Sequence, residues 1–114
     1  MPFAILWRAA PAKTFNDLMA RAQAALDQRK GNGKTSRAEG LFKQVQKCIE
    51  LLADNPRHPG LKTHEFHSID HPYDPKQKVF EAYVQNRTPG AYRLFWCYGP
   101  GKNEITILAI TPHP

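Results

Sequence analysis

Cysteine, acidic charge and long apolar runs are all scarce in this sequence, and each scarcity excludes something. Only two cysteines occur in 114 residues, Cys48 and Cys97, and they lie far apart. That spacing gives no disulfide framework of the kind that holds small secreted domains together, so both are expected to be reduced, buried and apolar in role. The one N-terminal apolar run, Phe3-Ala4-Ile5-Leu6-Trp7, is shorter than a signal-peptide core and has no basic segment before it. No stretch approaches the roughly 20 apolar residues that cross a bilayer. A cytoplasmic protein with no membrane partner is the expectation.

Acidic residues number ten against sixteen Lys and Arg, which leaves a formal charge of +6 and a pI near 9.6. Such a balance favours a polyanionic or acidic partner: nucleic acid, a ribosome or an acidic binding protein. The excess is uneven, with eleven of the basic and five of the acidic residues falling at or before Lys62 and equal numbers after it. Against these shortages stands a 41% hydrophobic fraction with 11% aromatics, enough apolar side chain to offset the entropy of ordering the chain. At this length one core is expected, and so one domain, residues 1–114.

Residues 3 to 8 are rich in β-favouring side chains and read as a strand ended by Pro11. A helix follows, with Thr14 and Asp17 as a capping pair, Phe15, Leu18, Met19, Ala22, Ala25 and Leu26 on one face, and Gly31-Asn32-Gly33 as its stop. A second helix opens on a Ser36/Glu39 capping box, carries Leu41, Phe42, Val45, Cys48, Ile49 and Leu52 on one stripe, and ends before Asn55-Pro56. Beyond Gly60 the period changes to that of strands. Val79 to Gln85, Tyr92 to Tyr98 and Glu104 to Thr111 read as strands separated by Thr88-Pro89-Gly90 and Gly99-Pro100-Gly101. Leu61 to Ile69 adds an edge segment, and Asp70 to Gln77 reads as a loop. The fold class is therefore α+β, β-α-α-β-β-β, with a two-helix hairpin packed on one face of a mainly antiparallel sheet of four to five strands.

Arg93 stands among Tyr92, Leu94, Phe95 and Trp96 in what should be a central strand. A guanidinium there is either paired, by Glu81, Glu65 or a sheet-edge carbonyl, or kept for an anion such as phosphate, whose oxygens its fork of donors matches. His113 follows the last strand, a position from which an imidazole can reach a cleft and move a proton near neutral pH. The run His64-x-x-His67-x-x-x-His71 matches no common zinc spacing, and no metal or other cofactor is expected. Tyr83, Tyr92, Trp96 and Tyr98 are the rings available for stacking on bases, although most belong to core or sheet faces.

The element order, the segment Asn55-Pro56-Arg57-His58-Pro59-Gly60-Leu61-Lys62-Thr63-His64, the strand Tyr92-Arg93-Leu94-Phe95-Trp96 and the ending Ile107-Leu108-Ala109-Ile110-Thr111-Pro112-His113 together resemble the RelE/ParE toxin superfamily over nearly the whole chain. The resemblance implies a RelE-like fold and the toxin of a type II toxin-antitoxin system, a metal-independent endoribonuclease that cuts mRNA on the ribosome. It implies Arg93 at the scissile phosphate, His113 as proton carrier and Glu81 either as a carboxylate base or as a charge that neutralises Arg93. Lys62, His64, Tyr83, Lys34 and Arg37 would bind RNA. Where RelE-type enzymes place lysines on the strand before the arginine strand, this chain has Glu81 and Tyr83. An antitoxin protein, mRNA and the ribosome are the implied partners, while the oligomeric state is left open. The alternatives are a ParE-like gyrase inhibitor without an active site, and a non-toxic binding protein on the same scaffold.

Overall fold

The computed structural model describes residues 2–29, 33, 35–86 and 89–112. Gly31, Asn32, Lys34, Thr88 and His113, all given a part above, lie outside the described residues. The elements run β1 (Ala4–Trp7), α1 (Ala9–Gln28), α2 (Arg37–Asp54), a short 3-10 turn (Pro59–Leu61), β2 (His64–Phe66), β3 (Val79–Tyr83), β4 (Tyr92–Tyr98) and β5 (Glu104–Pro112). The strands form one sheet in the order β1-β5-β4-β3-β2, antiparallel except where β1 lies parallel to β5. This is the expected α+β arrangement, with the parallel edge strand as its one mixed element.

α1 begins at Ala9, five residues before Thr14, which does not cap it. Pro11 explains the early start: its fixed φ suits a first helical turn, and its missing N–H is one of those left without a partner there anyway. Thr14 Oγ1 instead donates to the Ala10 carbonyl at 3.1 Å, inside the helix. α2 starts where its capping box places it. Ser36 Oγ accepts from the Glu39 amide at 3.2 Å, and Glu39 Oε2 accepts from the Ser36 amide at 2.8 Å. Arg29, just past the end of α1, meets the same carboxylate at 3.1 Å, so one side chain fastens both helices at their junction.

β4 is buried on both faces. Leu94 and Trp96 point to the helices and pack with Leu18, Val45, Cys48 and Leu52, while Arg93, Phe95 and Cys97 point the other way. Its partner β5 would lose this alignment halfway along without a correction. Phe95 faces Ala109 but Trp96 faces Ile107, so Leu108 is an extra residue, a bulge that resets the alternation. Ile105, Ile107 and Ile110 thereby all reach the helix-side core despite their mixed parity.

Both cysteines are buried and free, and burial pushes the Cys48 thiol up to about 12 and the Cys97 thiol up to about 11. Neither should react with a disulfide reagent at neutral pH until the protein is unfolded, whereupon both should. Ser36→Ala should lower stability by about 1 kcal/mol, read as a shift of the urea midpoint at constant m value. The Ser36 amide hydrogen bond, with the Ser36 hydroxyl and Arg29 behind it, holds the Glu39 carboxyl below its usual value against the opposing effect of burial. A depressed folded-state value stabilises above the unfolded value and is lost as pH falls through the folded one. The stability deficit of Glu39→Gln should therefore be present at pH 7 and shrink through the acid range.

Candidate functional site

The face of the sheet away from the helices carries the polar residues. Two cross-strand rows run over it: Tyr83, Arg93 and Thr111 in one, and His64, Glu81, Phe95 and Ala109 in the next. β-pairing thus brings four residues singled out in the sequence, His64, Glu81, Tyr83 and Arg93, into one patch.

Arg93 is 9% exposed. Its Nη1 donates to the Gln85 carbonyl at 2.7 Å and to the Tyr92 carbonyl at 3.3 Å, and its Cζ lies 3.8 Å from the centroid of the Tyr83 ring. Of the pairings open in the sequence, the carbonyls are the ones realised. Glu81 Oε1 pairs instead with His64 Nε2 at 2.5 Å, and Glu65 with Lys78 at 2.8 Å, which holds the Glu65 carboxyl below its usual value. Among the described residues no carboxylate pairs with Arg93, and its Nε is buried without a partner. The cation is desolvated and stacked on a ring, with no counter-charge among the described residues, a state in which a guanidinium attracts an anion strongly.

His64 is fixed from three sides. Nε2 meets Glu81, Nδ1 lies 3.2 Å from the Lys62 carbonyl, and the ring sits edge-on to Tyr83 at 5.7 Å. Both nitrogens face oxygen atoms, so the ring is oriented from two sides. The three histidines of the run do not gather: His67 is exposed, 3.9 Å from Glu65, and His71 is buried on another set of partners.

Those partners hold the β2–β3 connection against the sheet. His71 Nε2 donates to the Tyr98 carbonyl at 2.9 Å, and its Nδ1 accepts from the amides of Tyr73 and Asp74 at 3.2 and 3.0 Å. Tyr73 Oη donates to Thr106 Oγ1 at 3.1 Å, which in turn donates to the Gly99 carbonyl at 2.8 Å. The connection therefore closes one end of the face. Between it and Arg93 lies a cleft of about 380 Å³ lined by Phe66, Ser68, Ile69, Glu81, Phe95, Ala109 and Thr111. The Phe66 and Phe95 rings pack with centroids 4.5 Å apart.

Other sequence candidates fall elsewhere. Lys62 lines a groove with Arg57, His58, Phe80 and Tyr98, and Arg37 lines another with Gln44, Gln85 and Tyr92. Trp96, 1% exposed, is core and has no face left for a base, and Tyr92 packs against that core. Phe66, Ile69, Phe95, Ala109 and Thr111 were not singled out from sequence. Alternation from Arg93 marks Phe95 as a neighbour on the same face, whereas Ile69 and Phe66 are placed only by the course of the loop.

No family model matches the chain, and no curated protein sequence does. Solved structures do match in fold. Over 100% of both chains it superposes on the YoeB dimer structure from Staphylococcus aureus at TM-score 0.58 and 10% identity. A chain of the archaeal RelE-RelB complex from Pyrococcus horikoshii OT3 matches at TM-score 0.57 and 11% identity, over 98% of this chain and 96% of that one. A YoeB/ParE toxin from Agrobacterium tumefaciens matches at 0.57 and 9% identity, over 97% and 99%. The fold is that of the RelE/YoeB-like toxins. No described helix is long and apolar enough to cross a membrane.

His71→Ala removes the acceptor of two loop amides and should cost about 1–3 kcal/mol. Hydrogen exchange at Tyr73 and Asp74 should accelerate by more than exchange in the β4–β5 core; equal acceleration everywhere would show that His71 is no local latch.

Proposed function

We propose that this chain is the toxin of a toxin-antitoxin pair, a ribosome-associated endoribonuclease that cuts mRNA in the cytoplasm and is restrained by an antitoxin protein. The observation that carries the reading is Arg93: a nearly buried guanidinium on the open sheet face, stacked on Tyr83, with an unpartnered Nε and no acidic partner among the described residues. The RelE/YoeB-like fold supports it, as does the basic first half of the chain. The RelE-RelB complex among the structural neighbours supports an antitoxin as partner.

In this scheme a ribose 2′-hydroxyl attacks the adjacent phosphorus, forming the 2′-O–P bond as the 5′-O–P bond breaks. Arg93 stabilises the charge that develops on the phosphate oxygens, and His113 carries a proton between the two ribose oxygens. Glu81, 6% exposed and bonded to His64, is assigned to holding that imidazole beside the phosphate rather than to removing the proton. Tyr83 and His64 flank the phosphate, and Lys62, Arg37 and Lys34 add charge to the surrounding surface for RNA and ribosome. The scheme requires neither metal nor cofactor. One observation favours the second reading, a ParE-like gyrase inhibitor: Arg93 Nη1 is tied into the hairpin carbonyls, where it acts as a structural clamp.

Controlled expression of wild type, Arg93→Ala and Arg93→Lys separates these. Wild type should arrest growth and generate new message ends. Arg93→Ala should lose about 10²- to 10³-fold in cleavage rate. Arg93→Lys should recover RNA binding better than cleavage, because an ammonium lacks the forked donors. Circular dichroism must show both variants folded, since the substitutions also remove hairpin hydrogen bonds. Full cleavage by a folded Arg93→Ala overturns the part given to Arg93, and wild-type arrest with intact message and damaged DNA overturns the ribonuclease reading in favour of gyrase.

A further inference from the structure

The cleft beside Arg93 has a shape and chemistry of its own. Its lining is largely apolar, from Phe66, Ile69, Phe95 and Ala109, and its polar groups are Glu81 and the hydroxyls of Ser68 and Thr111. Apolar surfaces with one carboxylate and two hydroxyls among them suit a heteroaromatic ring, whose faces are apolar and whose rim hydrogen-bonds. Position agrees. The row through Glu81 and Phe95 is two residues along β4 from Arg93, so roughly 7 Å separates it from the Arg93 row, comparable to the reach from phosphate to base within one nucleotide.

Glu81 then selects among bases. One of its oxygens is bonded to His64, and the carboxylate takes no other hydrogen bond among the described residues; it is not among the side-chain atoms sealed off without a partner. An ionised carboxylate only accepts. Adenine and cytosine present an amine beside a ring-nitrogen lone pair, and uracil an N–H between two carbonyls. Guanine alone places two adjacent donors, N1–H and the exocyclic amine, on its Watson–Crick edge. A carboxylate this little exposed gains from a matched edge and is left desolvated by a mismatched one.

We propose that this cleft is a guanine-selective base pocket, with Glu81 as the specificity-determining residue and Ile69 of the β2–β3 connection as a wall. The biological substrate, RNA, rests on the ribonuclease reading; the pocket's selectivity is measured without cleavage. The probes are the 3′-monophosphates of guanosine, adenosine, cytidine and uridine, titrated into the full chain by calorimetry, with chemical-shift changes followed at Phe66 and Phe95. Guanosine 3′-monophosphate should bind about tenfold more tightly than each of the others. Glu81→Gln should erase the preference while keeping weak binding, and Ile69→Ala, which leaves the sheet intact, should weaken all four together. Equal affinities in the wild type, or a preference that survives Glu81→Gln, overturns the proposal. A guanine preference in a protein that cleaves no RNA upholds the pocket and removes the ribonuclease reading. Cleavage without base preference does the reverse.

Discussion

β4 is buried on both faces, and that constraint organises the rest of the chain. A strand with Leu94 and Trp96 on one side and Arg93, Phe95 and Cys97 on the other must be covered twice. The helix hairpin covers the first side because α1 and α2 each carry one apolar stripe and cannot bury it against each other alone. The second side is covered only in part, by the connection that His71 and Tyr73 fasten to Tyr98 and Thr106. What this cover leaves open is the patch around Arg93 and the cleft beside it. The site is thus the uncovered remainder of a strand whose residues from Arg93 to Cys97 are all buried.

Charge placement on that patch departs from the arrangement a purely structural strand would favour. A buried arginine is stabilised most simply by an adjacent carboxylate, and Glu81 stands one strand away and two positions along. Yet Glu81 binds His64, and Arg93 is held by two carbonyls and a ring. Carbonyls satisfy a donor without cancelling its charge, and a π face stabilises a cation without neutralising it. The guanidinium is thereby fixed in position while its field remains available to an anion. Pairing it with Glu81 would have given the same rigidity and removed that field.

Much of this was legible in the sequence where the signal is local. The Ser36/Glu39 box set the start of α2, and the Tyr92 to Tyr98 run gave β4 its observed bounds, because caps and β-branched or aromatic runs act over a few residues. The start of α1 is less legible, because Pro11 reads as the end of a strand although a first helical turn tolerates it. The parallel pairing of β1 with β5 joins segments a hundred residues apart and leaves no local trace. Arg93 stood out as a charge in an apolar run, but its carbonyl partners, the diversion of Glu81 to His64 and the Leu108 bulge all depend on register. The cleft depends further on the path of a loop whose prolines announce irregularity without giving its course.

Fold alone does not separate the functions available to this scaffold, since one backbone can host a nuclease, an inhibitor or a passive binding module. What differs among them is the treatment of one face of the sheet. An inhibitor that acts by contact needs a surface matched to a partner, and in it Arg93 would serve as the clamp on the hairpin carbonyls. A nuclease would use the same guanidinium against the charge that a phosphate develops in the transition state. Among the described residues the buried Nε of Arg93 has no partner, and the residue stands in the row that also carries Tyr83 and Thr111, on the sheet face the helices leave open.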